Sequence, residues 1–376
     1  MKSIGFYCDA NRIEKNALEQ LRQYAERPYL DRINAYPDIH FCQEKALPVG
    51  VAFETTGYCY PLITGKDIGC GVMYLSVNKE HWIKPFNKEQ HYRALELTHH
   101  KMTDEGLGGG NHFLSIEEDK DRVYVLCHTG TRNRGIALYQ DFVELIRKYS
   151  NEQARALDYV PVSYLSEELR NYYQSVLEYG YERRKAFCMK TLIFLQKAGY
   201  VRCRKEDINP AYLQENFRQL QNSGSMNGTP YQLEDSIHNH LRFEGERVLH
   251  RKGSTEIRPG RTVVIPLSMS RGSLLVKADD TPALAAALYS CSHGAGRKLS
   301  RFSAMKYWSS TLKEKQRKAY RLQFPELLNR SGDFPAGYIQ EFDFAYKSSE
   351  DLLVKQLYLK LVTKTSPIVT VKYSEI

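Results

Sequence analysis

Six short segments set a chemically active side chain among glycines or other small and polar residues. In chain order they are Asp67-Ile68-Gly69-Cys70-Gly71, Gly108-Gly109-Gly110-Asn111-His112-Phe113, Cys127-His128-Thr129-Gly130-Thr131-Arg132, His238-Asn239-His240, Arg251-Lys252-Gly253-Ser254-Thr255, and the run from Cys291 to Arg301. Such segments belong where regular elements end, at positions from which a rigid scaffold can aim a side chain. The chain is therefore expected to gather many element ends around one central site.

The run Cys291-Ser292-His293-Gly294-Ala295-Gly296-Arg297-Lys298-Leu299-Ser300-Arg301 is the most telling. Small residues let a ligand approach the backbone, and free amides can cradle phosphate oxygens. Arg297 and Arg301 offer paired donors suited to phosphate. A histidine in that setting can be a nucleophile towards a nucleotide phosphate. Taken alone, the same run would equally suit a helix-end loop with a capped histidine. Thr281-Pro282 starts a helix-like stretch that is expected to run into it.

The chain shows no repeat, linker or low-complexity tract. Glu14 to Arg27 reads as a helix with Ala17, Leu18, Leu21, Tyr24 and Ala25 on one face. Gly71 to Val77 reads as a strand, and Arg122 to Leu126 as a strand that delivers His128 at its end. Ile136 to Tyr149 looks helical. Ser166 to Ala198 looks like a long helix interrupted at Gly180 and closed by Gly199. Thr262 to Ile265 and Ser273 to Val276 read as strands flanking a turn over 267–272. Strands and helices do not alternate, which predicts an α+β fold.

Hydrophobic residues make up 42% and charged residues 26%, as in a globular protein, and the net charge of +9 suits an anionic partner. The 27 tyrosines can stack on bases, but most tyrosines bridge core and surface. Eight cysteines show no CxxC pair. No long apolar h-region stands at the N-terminus, and no stretch approaches the ~18 apolar residues of a membrane span. A cytoplasmic protein with reduced thiols is expected, with no membrane partner.

Asp67, Cys70, His112, His128 and His238 supply one carboxylate, one thiolate and three imidazoles. This mixed set suits a borderline divalent metal such as Mn, Fe, Co or Zn. Five ligands exceed a closed tetrahedral site and point to two metals with open positions. His240 is a weaker ligand candidate, and His81, His91, His99, His100 and His250 lack any motif context.

Together and in this order, the six motifs resemble the RtcB family of RNA ligases, from Pro37-Asp38-Ile39-His40 to Lys372. The resemblance implies a single compact α+β domain over residues 1–376 around a central metal and nucleotide site. It implies an enzyme that joins RNA 3′-phosphate or 2′,3′-cyclic phosphate ends to 5′-hydroxyl ends, with GTP and two Mn2+ as cofactors. GTP would guanylate His293, GMP would pass to the RNA 3′-phosphate, and the 5′-hydroxyl would displace it. One metal would take Asp67, Cys70 and His112, and the other Cys70, His128 and His238. Asn111, Ser273, Gly294, Gly296, Tyr346 and Lys372 match positions that hold GMP, with Tyr346 stacked on guanine. Arg132, Arg297 and Arg301 would meet RNA phosphates. Asp38 and His40 match an N-terminal active-site loop, so that His293, Asp38 and Arg297 form the catalytic group.

Four departures stand out. The family's acid two positions after Asn-His-Phe, which reads the guanine edge, is Ser115 here. A hydroxyl cannot accept from both N1–H and N2–H, so guanine selectivity is in doubt unless another carboxylate stands in. The glycine expected after Ile-Pro is Leu267, and the usual Met-Gly-Thr is Met269-Ser270-Arg271. The stretch between Cys70 and His112 is also short. These features resemble a compact divergent bacterial paralogue that repairs tRNA or rRNA fragments beside a release-factor-like partner.

Residues 297–321 carry Arg297, Lys298, Arg301, Lys306, Lys313, Lys315, Arg317, Lys318 and Arg321 against Glu314 alone. A charge run often marks a solvated face. Its first three members follow His293 closely enough to favour RNA contact. Two other classes share parts of this pattern. A metal-dependent phosphodiesterase that opens cyclic phosphates needs the ligands but not His293. A non-catalytic RNA-binding relic would have an eroded ligand set, whereas all five ligands are present.

Overall fold

The computed structural model describes residues 3–42, 47–100, 106–203 and 223–372. The fold is α+β, as expected. Its centre is an antiparallel sheet of six strands, ordered Ser366–Val371, Phe113–Glu118, Arg122–Thr129, Gly71–Asn78, Thr229–Ile237 and Ser223–Met226. Alternation along each strand splits the side chains between two layers. Met73, Leu75, Val123, Val125 and Cys127 pack with Phe187, Cys188 and Leu192 of the helix Glu167–Lys197. Val72, Tyr74, Tyr124 and Leu126 face the opposite way and pack on Val264 and Leu275. Those two belong to a three-stranded sheet of Thr262–Ser268, Gly272–Ala278 and Leu359–Lys364.

A second large sheet has the order Ile4–Phe6, Leu30–His40, Val49–Thr56, Arg247–Lys252 and Asn239–Glu244. It buries Ile33, Val51, Phe53 and Val248 with Ala17, Leu21 and Ala25 of the helix Lys15–Ala25 and with Leu138 and Phe142 of the helix Asn133–Glu152. His238 is the single residue between the strand Thr229–Ile237 of the central sheet and the strand Asn239–Glu244 at the edge of the second. The metal-type side chains thus collect where central strands begin or end.

Four sequence expectations need correction. The helix Glu167–Lys197 runs unbroken through Gly180. A Cβ there would lie 2.9 Å from Thr131 Cγ2 and 3.2 Å from the Gly69 carbonyl, so the glycine serves close packing against the site rather than a break. The Thr281-capped helix ends at Ala286, and the strand Ser290–Ser292 separates it from His293. Asp38 and His40 lie on a strand, not in a loop. Its pairing slips between Ala35 and His40, where Pro37 has no N–H to give to the ladder. The turn after Pro266 is also tighter than expected, because the strands extend to Ser268 and resume at Gly272.

Gly180→Leu is expected to lower stability by about 1–3 kcal/mol, because the added atoms overpack the helix–turn contact. Urea denaturation with an unchanged midpoint would contradict this account of the glycine.

Candidate active site

One cavity of about 600 Å³ is lined by Asp67, Cys70, His128, His238 and His293 together with Asn111, Ser273, Gly294, Gly296, Arg297, Arg301, Tyr346 and Lys372. Residues spread across the whole sequence therefore share one chamber.

Two triads share Cys70. The donor atoms of Cys70, His128 and His238 lie within 4.8 Å of one another, as do those of Asp67, Cys70 and His112. Cys70 Sγ is 3.3 Å from Nε2 of both His112 and His128, and His128 Nε2 is 3.3 Å from His238 Nε2. His128 Nδ1 donates to the Asn111 carbonyl at 3.1 Å, which leaves Nε2 as a lone pair aimed into the cluster. Burial, reinforced by neighbouring imidazoles, holds His128 and His238 well below the ordinary histidine range. Burial, with Asp67 beside it, pushes the Cys70 thiol well up. Imidazole nitrogens and a sulfur thus converge within reach of one another, an arrangement that a shared divalent cation, displacing the thiol proton, would satisfy.

Arg184 fixes this geometry from behind. Its fully buried guanidinium pairs with Asp235 through Nε at 2.6 Å and Nη2 at 2.7 Å. Nη1 donates to the Gly69 carbonyl at 2.9 Å and the Thr129 carbonyl at 3.1 Å. Gly69 precedes Cys70 and Thr129 follows His128, so one side chain sets the spacing of two ligand segments. The Gly69 N–H donates to the Asn239 carbonyl at 2.7 Å, and the His238 N–H to the Cys70 carbonyl at 2.9 Å, which ties in the third.

His293 faces the cluster, its ring centroid 4.9 Å from that of His238. Asp38 Oδ2 accepts from the His293 backbone N–H at 2.8 Å and from Nδ1 of its ring. In a neutral imidazole, a donating Nδ1 leaves Nε2 with the lone pair. Gly296, at φ +73°, permits this contact, since a Cβ would lie 2.6 Å from Asp38 Cα. Lys347 Nζ donates to the Pro37 carbonyl at 3.2 Å and the Ile39 carbonyl at 2.6 Å, and its N–H to the Gly296 carbonyl at 2.9 Å, so both sides of the contact are pinned.

Other candidates fall differently. Arg297 lines the cavity, but its donors go to the Leu299 carbonyl (3.0 Å), the Gln340 carbonyl (2.9 Å) and Tyr346 Oη (3.3 Å). Its guanidinium also covers one face of the Tyr346 ring at 5.1 Å. The fold thus employs Arg297 to place Tyr346. Arg132 packs against the Gly108–His112 loop and does not line the cavity. Lys372 Nζ donates to the Gly110 carbonyl at 2.8 Å and meets Glu341 at 3.2 Å. His240 turns away to Glu256 and Arg251, both at 3.0 Å. His250 is buried, accepting from the Tyr60 N–H at 3.0 Å, and His91 bonds Tyr200 Oη at 2.7 Å. His81 faces Glu80 at 3.6 Å, and the side chains of His99 and His100 lie outside the described residues.

Sequence reasoning missed Glu117 and Glu341. Glu117 lies buried on the cavity wall and accepts from the hydroxyls of Ser115 (2.8 Å), Ser273 (3.3 Å) and Thr365. Burial pushes its carboxyl up, against those three donors. Residues 113, 115 and 117 share one face of their strand, so a carboxylate one repeat beyond Ser115 was readable from period alone. Glu341 joins Lys372, Tyr346 and Arg297, and nothing in its local sequence signals this.

A family model described as tRNA-splicing ligase RtcB matches residues 87–373. The chain is 25% identical over 351 residues to an RNA-splicing ligase RtcB of Escherichia coli K12, covering 79% of this chain and 81% of that protein. It is likewise 25% identical over 347 residues, with the same coverage, to an RNA-splicing ligase RtcB1 of another Escherichia coli strain. To a tRNA-splicing ligase RtcB of Methanocaldococcus jannaschii it is 27% identical over 283 residues, 64% of this chain and 26% of that protein. Among the described residues no helix is long and apolar enough to cross a membrane.

The cluster can be tested with Co2+, whose thiolate complexes absorb in the near ultraviolet. Cys70→Ala should abolish that band and Cys127→Ala retain it, because Cys127 points into the hydrophobic core behind the strand. Retention of the band in Cys70→Ala would remove Cys70 from the ligand set.

Proposed function

The chain belongs to the RtcB family of ligases, and from that premise we propose that it joins RNA 3′-phosphate or 2′,3′-cyclic phosphate ends to 5′-hydroxyl ends through a guanylated His293. The observation that carries this reading is the hold of Asp38 on His293, whose ring lies 4.9 Å from that of His238 in the Cys70–His128–His238 triad. A phosphodiesterase that only opens cyclic phosphates would have no use for an oriented histidine nucleophile.

In the first step Nε2 of His293 attacks the α-phosphate of GTP, a P–N bond forms and pyrophosphate leaves. Asp38 keeps the Nδ1 proton in place and stabilises the imidazolium-like charge that develops. A 2′,3′-cyclic phosphate is first opened by water, whose oxygen adds to phosphorus as the P–O2′ bond breaks and the 2′-oxygen is protonated; the RNA 3′-phosphate oxygen then displaces the histidine, and the 5′-hydroxyl displaces GMP. Asp67, Cys70 and His112 would hold one Mn2+, and Cys70, His128 and His238 a second. When bound, these ions supply charge neutralisation for the phosphates and the in-line transition state. Backbone amides at Gly294 and Gly296 cradle phosphate, and Asn111, Ser273, Tyr346 and Lys372 surround the nucleotide. Glu117 takes the base-reading role that Ser115 cannot fill, accepting N1–H and N2–H of guanine. The whole chain acts as one catalytic unit.

His293→Ala should abolish labelling by α-32P-GTP and end joining while leaving Co2+ binding and thermal stability near wild type. A labelled His293→Ala protein would overturn the assignment, and cyclic-phosphate opening without any adduct would leave only the phosphodiesterase. Glu117→Gln should cut the GTP-over-ATP preference in adduct formation about tenfold or more, from loss of a charge-assisted acceptor contributing roughly 1.5–3 kcal/mol. An unchanged preference would place guanine reading elsewhere.

A further inference from the structure

The helix Arg301–Ser310 follows the His293 run, and Ala304 is its one buried residue. Met305, Tyr307 and Trp308 pack against the core. Phe302 needs none of this packing, since its ring is 80% exposed. Lys306 lies one turn along on the same exposed face. Arg301, one residue before Phe302, lines the active-site cavity and reaches towards Gly110 at the cavity wall. An exposed aromatic ring therefore stands beside the cavity mouth, among cations.

Those cations are unneutralised. Lys298, Arg301 and Lys306 form no ion pair among the described residues, whereas Arg317 and Arg321 on the next helix, Glu314–Gln323, are both held by Glu314 at 2.8 Å. Arg301 and Lys306 flank the bare ring, whereas Lys298 lines a separate cavity with Asp9 and Glu14, and the two flanking charges favour a polyanion that also presents flat apolar faces. A single-stranded nucleic acid offers both, because phosphates meet the cations while an unpaired base stacks on the ring. A duplex hides its base faces and could use only the charges.

We propose that Arg301, Phe302 and Lys306 form a landing surface for an unpaired nucleotide next to the RNA end being joined, with Phe302 stacking on its base. This rests on the reading of the cavity as an RNA-joining site. It makes the preferred substrate an end with a single-stranded overhang rather than a blunt duplex. It also separates two steps, since the surface serves RNA and takes no part in loading the nucleotide onto His293.

The test uses the full-length protein and RNA bearing a 3′-phosphate, with 2-aminopurine at the nucleotides nearest that end. Wild type should quench 2-aminopurine fluorescence in an overhang and not in a blunt duplex. Phe302→Ala should lose the quenching and raise KM for overhang RNA about tenfold, with α-32P-GTP labelling of His293 unchanged. Phe302→Trp should restore both quenching and KM. Wild-type quenching and KM in Phe302→Ala would overturn the proposal and leave the ring to a protein partner, as would equal quenching of overhang and blunt ends. Quenching that follows this pattern in a protein that forms no nucleotide adduct would uphold the surface and count against the ligase reading instead.

Discussion

The buried guanidinium of Arg184 is the contact on which the site's geometry depends. A charge in a fully buried position is tolerated only when paired and fully hydrogen-bonded, and Asp235 with the Gly69 and Thr129 carbonyls meets that condition. The same bonds set how far the Asp67–Cys70 turn stands from the strand that ends beyond His128. Gly180 lets the helix carrying Arg184 approach closely enough for these bonds to form. Removing one partner from such a pair typically costs about 3–5 kcal/mol, so stability and site geometry are tied together here.

Around that support, the chain spends stability on chemistry. His112, His128, His238 and Cys70 are buried side by side with ligand atoms converging, although imidazoles and a thiol gain little from one another. Nδ1 of both His112 and His238 is buried without a hydrogen-bond partner. A fold shaped by stability alone would fill this volume with apolar side chains. Asp38 follows the same logic: buried at the end of a slipped strand pairing, it orients His293 while its own Oδ1 has no partner.

The sequence reveals the chemistry more readily than its framing. The side chains that converge on the cavity were legible because each sits in a short motif with an unusual residue type. The opposed faces of Cys127 and His128 follow from strand alternation. Gly180 was misread because local propensity treats glycine as a helix breaker, whereas packing against Gly69 and Thr131 decides its role. Arg297 was expected on RNA phosphate, but only the fold reveals that the Gln340 and Leu299 carbonyls claim its donors. Glu117 was overlooked because attention fell on the missing acid at 115 rather than on the next residue of the same strand face. Arg184 and Asp235 lie in unremarkable stretches 51 residues apart, and no local pattern joins them.

The central claim is that Asp38 fixes the tautomer of His293 and makes its Nε2 the nucleotide carrier. The most direct measurement localises the nucleotide after incubation with GTP and Mn2+, by mass spectrometry of peptides together with 31P NMR of the adduct. The account predicts an acid-labile, alkali-stable phosphoramidate on Nε2 of His293, greatly reduced in Asp38→Ala. A stable adduct on Nδ1, on a lysine such as Lys372, or undiminished in Asp38→Ala would contradict it.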